Sequence, residues 1–206
     1  MPVEPIRAEE NDDAEETKPP TPSFGPVGQR LFVSRQIPVF GVVDEALATR
    51  VVSQLLALEQ DDPKAPITMI LNSPGGSVTD GFAIYDAMRF VQPEIRVVCT
   101  GLAASIATVI LLGAPKEWRL ALPNTKLLIH QVYIPGVVRG QATDLEITAK
   151  DLLGTRDRIN ALLSEETGQP LTRINHDTNR DYWMSATEAV QYGLLSRVVT
   201  RRADLG

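Results

Sequence analysis

Cysteine is almost missing from this sequence. Cys99 is the single one among 206 residues, which excludes an internal disulfide, and no Cys/His spacing resembles a zinc site. A reducing compartment is the simpler setting, and the run Val97, Val98, Cys99 makes the thiol read as a small core side chain. Histidine is scarce as well, at two residues, so candidates for a general base are few. There is no excess of basic charge: 20 Lys and Arg against 26 Asp and Glu leave a net charge of -6. That argues against the basic face a nucleic-acid partner requires and gives no support for binding an anionic membrane surface. The longest apolar run, Gly101 to Ala114, is shorter than the roughly 20 residues that cross a bilayer. The N-terminus carries Glu4, Glu9, Glu10, Asp12, Asp13, Glu15 and Glu16. It lacks the basic start and apolar stretch of a secretory signal, and transit peptides avoid acids. The expected location is the cytoplasm.

What remains is an ordinary globular composition, 43% hydrophobic and 22% charged, enough for one α/β domain with a real core. Residues 1 to about 28 are acidic and then proline-rich, through Lys18, Pro19, Pro20, Thr21 and Pro22. They offer too few apolar side chains to offset ordering entropy, so they are expected to form a disordered or loosely attached arm, with one domain over 29–206. From Leu31 onward, strand and helix patterns alternate. A strand is expected over 35–40. Asp44 caps a helix whose apolar positions are Leu47, Val51, Leu55 and Leu58, widened by Val52 and Leu56. Further strands are expected over 67–71, 95–100, 126–130 and 195–200. Helices are expected over 77–91, from 106 to 112, and over 141–167, the last with Leu145, Ala149, Leu152, Ile159 and Leu163 on one face. Tight turns fall at 72–76 and 101–105, and 133–139 reads as a hairpin-like excursion. Ser185 and Glu188 form a capping box, and Gly193 is placed to end that helix. Such alternation implies a mainly parallel sheet with flanking helices, whose ligands gather at the carboxyl ends of the strands. Gly75–Gly76, Ser105 and His130 all fall there.

These positions carry the chemistry. His130 closes the apolar run Leu127, Leu128, Ile129, where an imidazole can be held in a partly dry site, as a general base requires. A core histidine bonded to a carbonyl is the plainer alternative. His176, amid Asn175, Asp177, Thr178 and Asn179, reads as a solvated loop residue. Ser105 follows small residues and opens an apolar helix, where free N–H groups favour an oxyanion; a simple N-cap serine is the alternative. Gly75–Gly76 could aim an amide at the same place or be an ordinary turn. No Gly-Lys-Ser/Thr follows, so it is not a phosphate loop. Either Asp177 or Asp181 could orient the histidine.

Taken together, these segments resemble the proteolytic subunit family of the Clp protease. Asn72-Ser73-Pro74-Gly75-Gly76 is similar to its glycine turn, and Gly101-Leu102-Ala103-Ala104-Ser105 to its nucleophile segment. Ile129-His130-Gln131, with Gly140-Gln141-Ala142-Thr143-Asp144 downstream, is similar to its histidine segment and the start of its handle helix. Asp177-Thr178-Asn179-Arg180-Asp181, followed by Tyr192-Gly193-Leu194, is similar to its aspartate segment. The order is the same and the resemblance runs from about Arg35 to Thr200.

The resemblance implies a crotonase-like α/β fold with a protruding handle helix over about 141–167. It implies Ser105 as nucleophile, His130 as base and Asp181 as orienting acid, with the backbone N–H groups of Gly76 and Ile106 as oxyanion hole. It also implies heptameric rings stacked as a tetradecamer, with Arg180 as an inter-ring contact, and allows a second subunit of the same type in the particle. The implied partners are an AAA+ unfoldase of the ClpX, ClpA or ClpC type and polypeptide substrates. No metal or cofactor is implied, ATP being used by the unfoldase. The sequence departs from the family at Leu102, at Ile106, over 132–139 (bulkier and about two residues longer), and at Asn179. It departs again at Thr68 and Ile70, where aromatic residues often line the unfoldase docking cleft, and in the N-terminal arm. A crotonase-type acyl-CoA enzyme and a non-catalytic ring subunit are the alternatives.

Overall fold

The structure is a computed structural model that describes residues 25–134, 136 and 139–205. The expected arm therefore lies outside the described residues up to residue 24, and the first helix, α1 (Pro26–Val33), starts just inside the stretch assigned to it.

Seven strands form one sheet. β1 (Gln36–Phe40), at one edge, β2 (Ile67–Ser73) and β3 (Ile95–Ala104) run parallel. β4 (Arg119–Ala121) and β7 (Arg197–Val198) continue it in parallel. β5 (Lys126–Ile129) also joins β3 in parallel, and β6 (Tyr182–Ser185) pairs antiparallel with β5. The mainly parallel sheet expected from the sequence is present, with helices α2 (Glu45–Asp61), α3 (Val78–Phe90), α4 (Ile106–Leu112), α5 (Ala142–Thr167), α6 (Leu171–Asp177) and α7 (Ala186–Tyr192) around it.

One difference from expectation builds the site. β3 does not stop at Thr100; it runs to Ala104 and forks. Val97–Cys99 pairs with β4, and Leu102–Ala104 pairs with β5. Gly101, at φ +63°, takes up the irregularity, and the Asn72 side chain accepts from the Leu102 amide at 3.1 Å. Small residues read as a turn because their ladder partner, β5, lies far along the chain. Edge strand β6 and helix α6 had no counterpart in the pattern, and β7 is shorter than the strand expected over 195–200. Among the described residues of 133–139 there is no strand.

Helix burial differs in part from the expected apolar faces. Leu56 is 45% exposed, and Gln54 sits on the buried face of α2 instead. On α5, Leu145 and Ala149 are exposed, and burial starts at Ile159 and continues at Leu163. Its N-terminal half extends beyond the core, as a handle would. By contrast, every residue of α4 is buried; a helix apolar on all sides has to sit inside the protein. Arg119 of β4, 1% exposed, fixes what surrounds it. Its guanidinium donates to the carbonyls of Leu112, the last residue of α4, and of Ala114 just beyond it, and to the Glu166 carboxylate near the end of α5. The capping box forms as expected: the Ser185 amide donates to Glu188 at 2.8 Å and the Glu188 amide to Ser185 at 3.3 Å. Gly193, at φ +99°, ends that helix.

Candidate active site

The fork in β3 places Ser105 where the strand turns abruptly into α4. Ser105 has φ +59°, a region that costs a non-glycine residue about 1–3 kcal/mol. Its backbone is held on both sides. The amide donates to the Leu128 carbonyl at 2.9 Å. The carbonyl accepts from the Thr108 amide at 2.9 Å and the Thr108 hydroxyl at 2.6 Å. Although Ser105 occupies the N-cap position, its side chain makes no cap hydrogen bond. The hydroxyl is thus not consumed by helix capping, and Ser105 stays partly exposed, lining a cavity.

Gly75 and Gly76 face this turn. A Cβ on Gly75 would stand 2.7 Å from both the Ala104 carbonyl oxygen and the Ser105 Cβ, and 3.3 Å from the Ile106 nitrogen. Only glycine allows that approach, and its φ of +91° also suits glycine. Gly76 is fixed from the other side. The Val43 amide donates to Gly75 and the Ser77 amide to Val43, at 2.9 and 2.8 Å. Among the described residues, neither the Gly76 nor the Ile106 amide has a protein acceptor. Two unpaired amides therefore flank the strained serine.

β5 delivers the histidine. Its parallel pairing with β3 ends at Ala104–Leu128, so His130, just past the strand, reaches the same edge as Ser105. Both line one cavity of about 300 Å³ together with Pro74, Gly75, Gly76 and Tyr133, and apolar side chains from α4 and α5 close it. The carbonyl-bonded core histidine considered from sequence is not what is found: His130 is half-buried and makes no hydrogen bond among the described residues. Its ring instead meets that of Tyr133, with centroids 5.5 Å apart. His176 is a surface residue, its side chain 88% exposed.

The two aspartates have different surroundings. Asp177 is nearly buried and accepts from the Tyr192 hydroxyl at 2.9 Å, with His176 at 3.0 Å and Arg173 at 3.4 Å. Burial pushes its carboxyl up, but these hydrogen bonds and the Arg173 charge outweigh it and hold the group below its ordinary value. Asp181 is exposed and precedes β6, whose last pair with β5 is Ile129–Tyr182. The antiparallel ladder thereby puts Asp181 next to the backbone of His130. Among the described residues no hydrogen bond joins Ser105, His130 and Asp181 to one another, and Arg180 is exposed. Nor does any group of three His, Cys, Asp or Glu among them form a metal cluster. Thr108 and Tyr133 were not singled out in the sequence. Thr108 was legible as a hydroxyl one helical turn after Ser105, whereas Tyr133 carried no signal beyond its nearness to His130.

A family model described as Clp protease matches residues 23–202. The chain belongs to the Clp protease family. That match takes in the whole sheet, both glycines, Ser105, His130 and both aspartates. The mixed α/β architecture with its mostly parallel sheet is the fold of the Clp proteolytic subunit, and the family is one of serine peptidases.

Proposed function

We propose that this chain is a serine endopeptidase subunit that cleaves unfolded polypeptides to short peptides. The observation that carries this reading is the shared cavity: Ser105 and His130 open into it beside the Gly75–Gly76 turn. In the reaction, the Ser105 hydroxyl attacks a peptide carbonyl while His130 takes its proton. The carbonyl oxygen, now negative, accepts from the Gly76 and Ile106 amides. His130 then protonates the departing amine, leaving an acyl ester on Ser105. Water, deprotonated by His130, attacks that ester and releases the acid. Asp181 orients the ring and balances its positive charge. Each amide donor of such a hole typically supplies about 3–4 kcal/mol to the transition state. No metal or cofactor takes part.

Heptameric rings stacked in pairs would enclose these sites, with α5 and Arg180 at the contact between rings. An AAA+ unfoldase, itself consuming ATP, would feed the chamber in the cytoplasm. A mixed particle is a second reading. It is favoured by the lack of any hydrogen bond among Ser105, His130 and Asp181 within the described residues, because a neighbouring subunit could bring them into line. A fluorogenic peptide assay on the purified full chain, alone and mixed with a second subunit of this type, tests both. Cleavage by the chain alone that vanishes in Ser105→Ala supports the first reading. Cleavage only in the mixture supports the second. Activity on an acyl-CoA that is indifferent to Ser105→Ala would point instead to crotonase-type chemistry.

A further inference from the structure

Among the described residues no hydrogen bond or ion pair holds the His130 imidazole, and the one specific interaction it makes is with an aromatic ring. Tyr133 lies against it with centroids 5.5 Å apart and ring planes inclined at 48°. The chain between them is anchored, because Val132 is partly buried and packed on the main core. Tyr133 itself is 64% exposed, so core packing does not account for its position. Both residues border the cavity that Ser105 enters, and apart from His130 none of its lining side chains is ionisable near neutral pH. No ionisable side chain in that cavity would offset an imidazolium formed on His130, and Asp181, across the ladder, is exposed to water.

We propose that Tyr133 is a positioning residue for His130. Its ring limits rotation of the imidazole about the end of β5, and its π face attracts the cation that forms when His130 accepts the Ser105 proton. A cation within about 6 Å of an aromatic centroid is drawn to the ring quadrupole, more strongly as water is excluded. The ring contact is there from the start, but the attraction to the cation arises only once the proton has moved, so that part acts on the transition state and leaves substrate binding alone. The ring is what matters; the Tyr133 hydroxyl makes no hydrogen bond among the described residues. The inference rests on the peptidase reading above.

The test compares the full-length wild type with Tyr133→Phe and Tyr133→Leu, using a fluorogenic peptide and a fluorophosphonate that reports the reactivity of Ser105. Tyr133→Phe should stay within about twofold of wild type, since it keeps the π face. Tyr133→Leu should lower kcat roughly threefold to thirtyfold with KM little changed, and slow labelling in step. The proposal is overturned if Tyr133→Leu matches wild type, if Tyr133→Phe is as impaired as Tyr133→Leu, or if Tyr133→Leu changes KM alone, which would make Tyr133 a substrate contact. A wild type that never labels at Ser105 removes the peptidase reading itself, and this inference with it. Thermal melting of each variant separates a lost fold from a lost contact.

Discussion

Gly75 is packed so tightly against Ser105 that a methyl group added to it would come within 2.7 Å of the Ser105 Cβ. The glycine turn and the strained serine turn therefore behave as one rigid unit, built from the ends of β2 and β3. Gly75→Ala must push one of them away. Peptide cleavage is expected to fall at least tenfold and thermal stability to drop, because the obstacles are backbone atoms and the Ser105 Cβ, which cannot swing aside, and the φ of +91° is itself unfavourable for alanine. Gly154→Ala is the control. That glycine sits inside α5 with nothing near its would-be Cβ, so alanine should leave activity intact and raise stability by up to about 1 kcal/mol.

The aspartates should separate by what each loses. Asp181 makes no side-chain hydrogen bond among the described residues, whereas Asp177 holds Tyr192 and Arg173. Asp181→Asn is expected to cut kcat at least a hundredfold, as loss of an orienting acid does, with little change in melting temperature. Asp177→Asn should do the reverse, costing about 1–3 kcal/mol in urea unfolding and leaving the kcat of the folded protein near wild type.

The Asp177 contribution should also depend on pH. Its folded-state carboxyl lies below the ordinary value of 3.8, so the folded state holds the proton less tightly than the unfolded chain. The stabilisation is full well above pH 3.8 and is lost as pH falls through that value toward the lower folded one. Denaturation midpoints of wild type and Asp177→Asn should therefore differ at pH 7 and converge as pH falls below 3.8. A gap that stays constant with pH would show that the loss comes from packing.

Arg119 gives a fourth expectation. It is buried with its guanidinium on three carbonyls and the Glu166 carboxylate. Arg119→Ala leaves a cavity and strips Glu166 of its partner, for an expected cost of about 3–5 kcal/mol by chemical denaturation. Arg119→Lys should recover only part of that, because an ammonium cannot span the same acceptors.

Much of this was legible in the sequence because local chemistry and global fold agree. Asp44, Ser185 with Glu188, and Gly193 set helix ends by short-range hydrogen bonds and φ, and all were placed correctly. The buried run Ile106–Leu112 could only be an interior helix. Long-range pairing was not legible. Nothing local says that Leu102–Ala104 will find Leu127 and Leu128, so a strand extension looked like a turn. The apolar residues along the first half of α5 looked like a core face because periodicity cannot reveal whether anything covers it. At the site, Ser105 and His130 stood out through position and scarcity. Choosing between Asp177 and Asp181 required the pattern of the family, and the positive φ of Ser105 has no signature in residue type.

The most direct measurement is mass-spectrometric mapping of a fluorophosphonate probe on the purified full-length chain. Stoichiometric modification on the peptide that carries Ser105, lost in His130→Ala while the protein remains folded, is the expected result. Modification elsewhere, or labelling of Ser105 that is unchanged without His130, would contradict the central claim that these two side chains form one nucleophile.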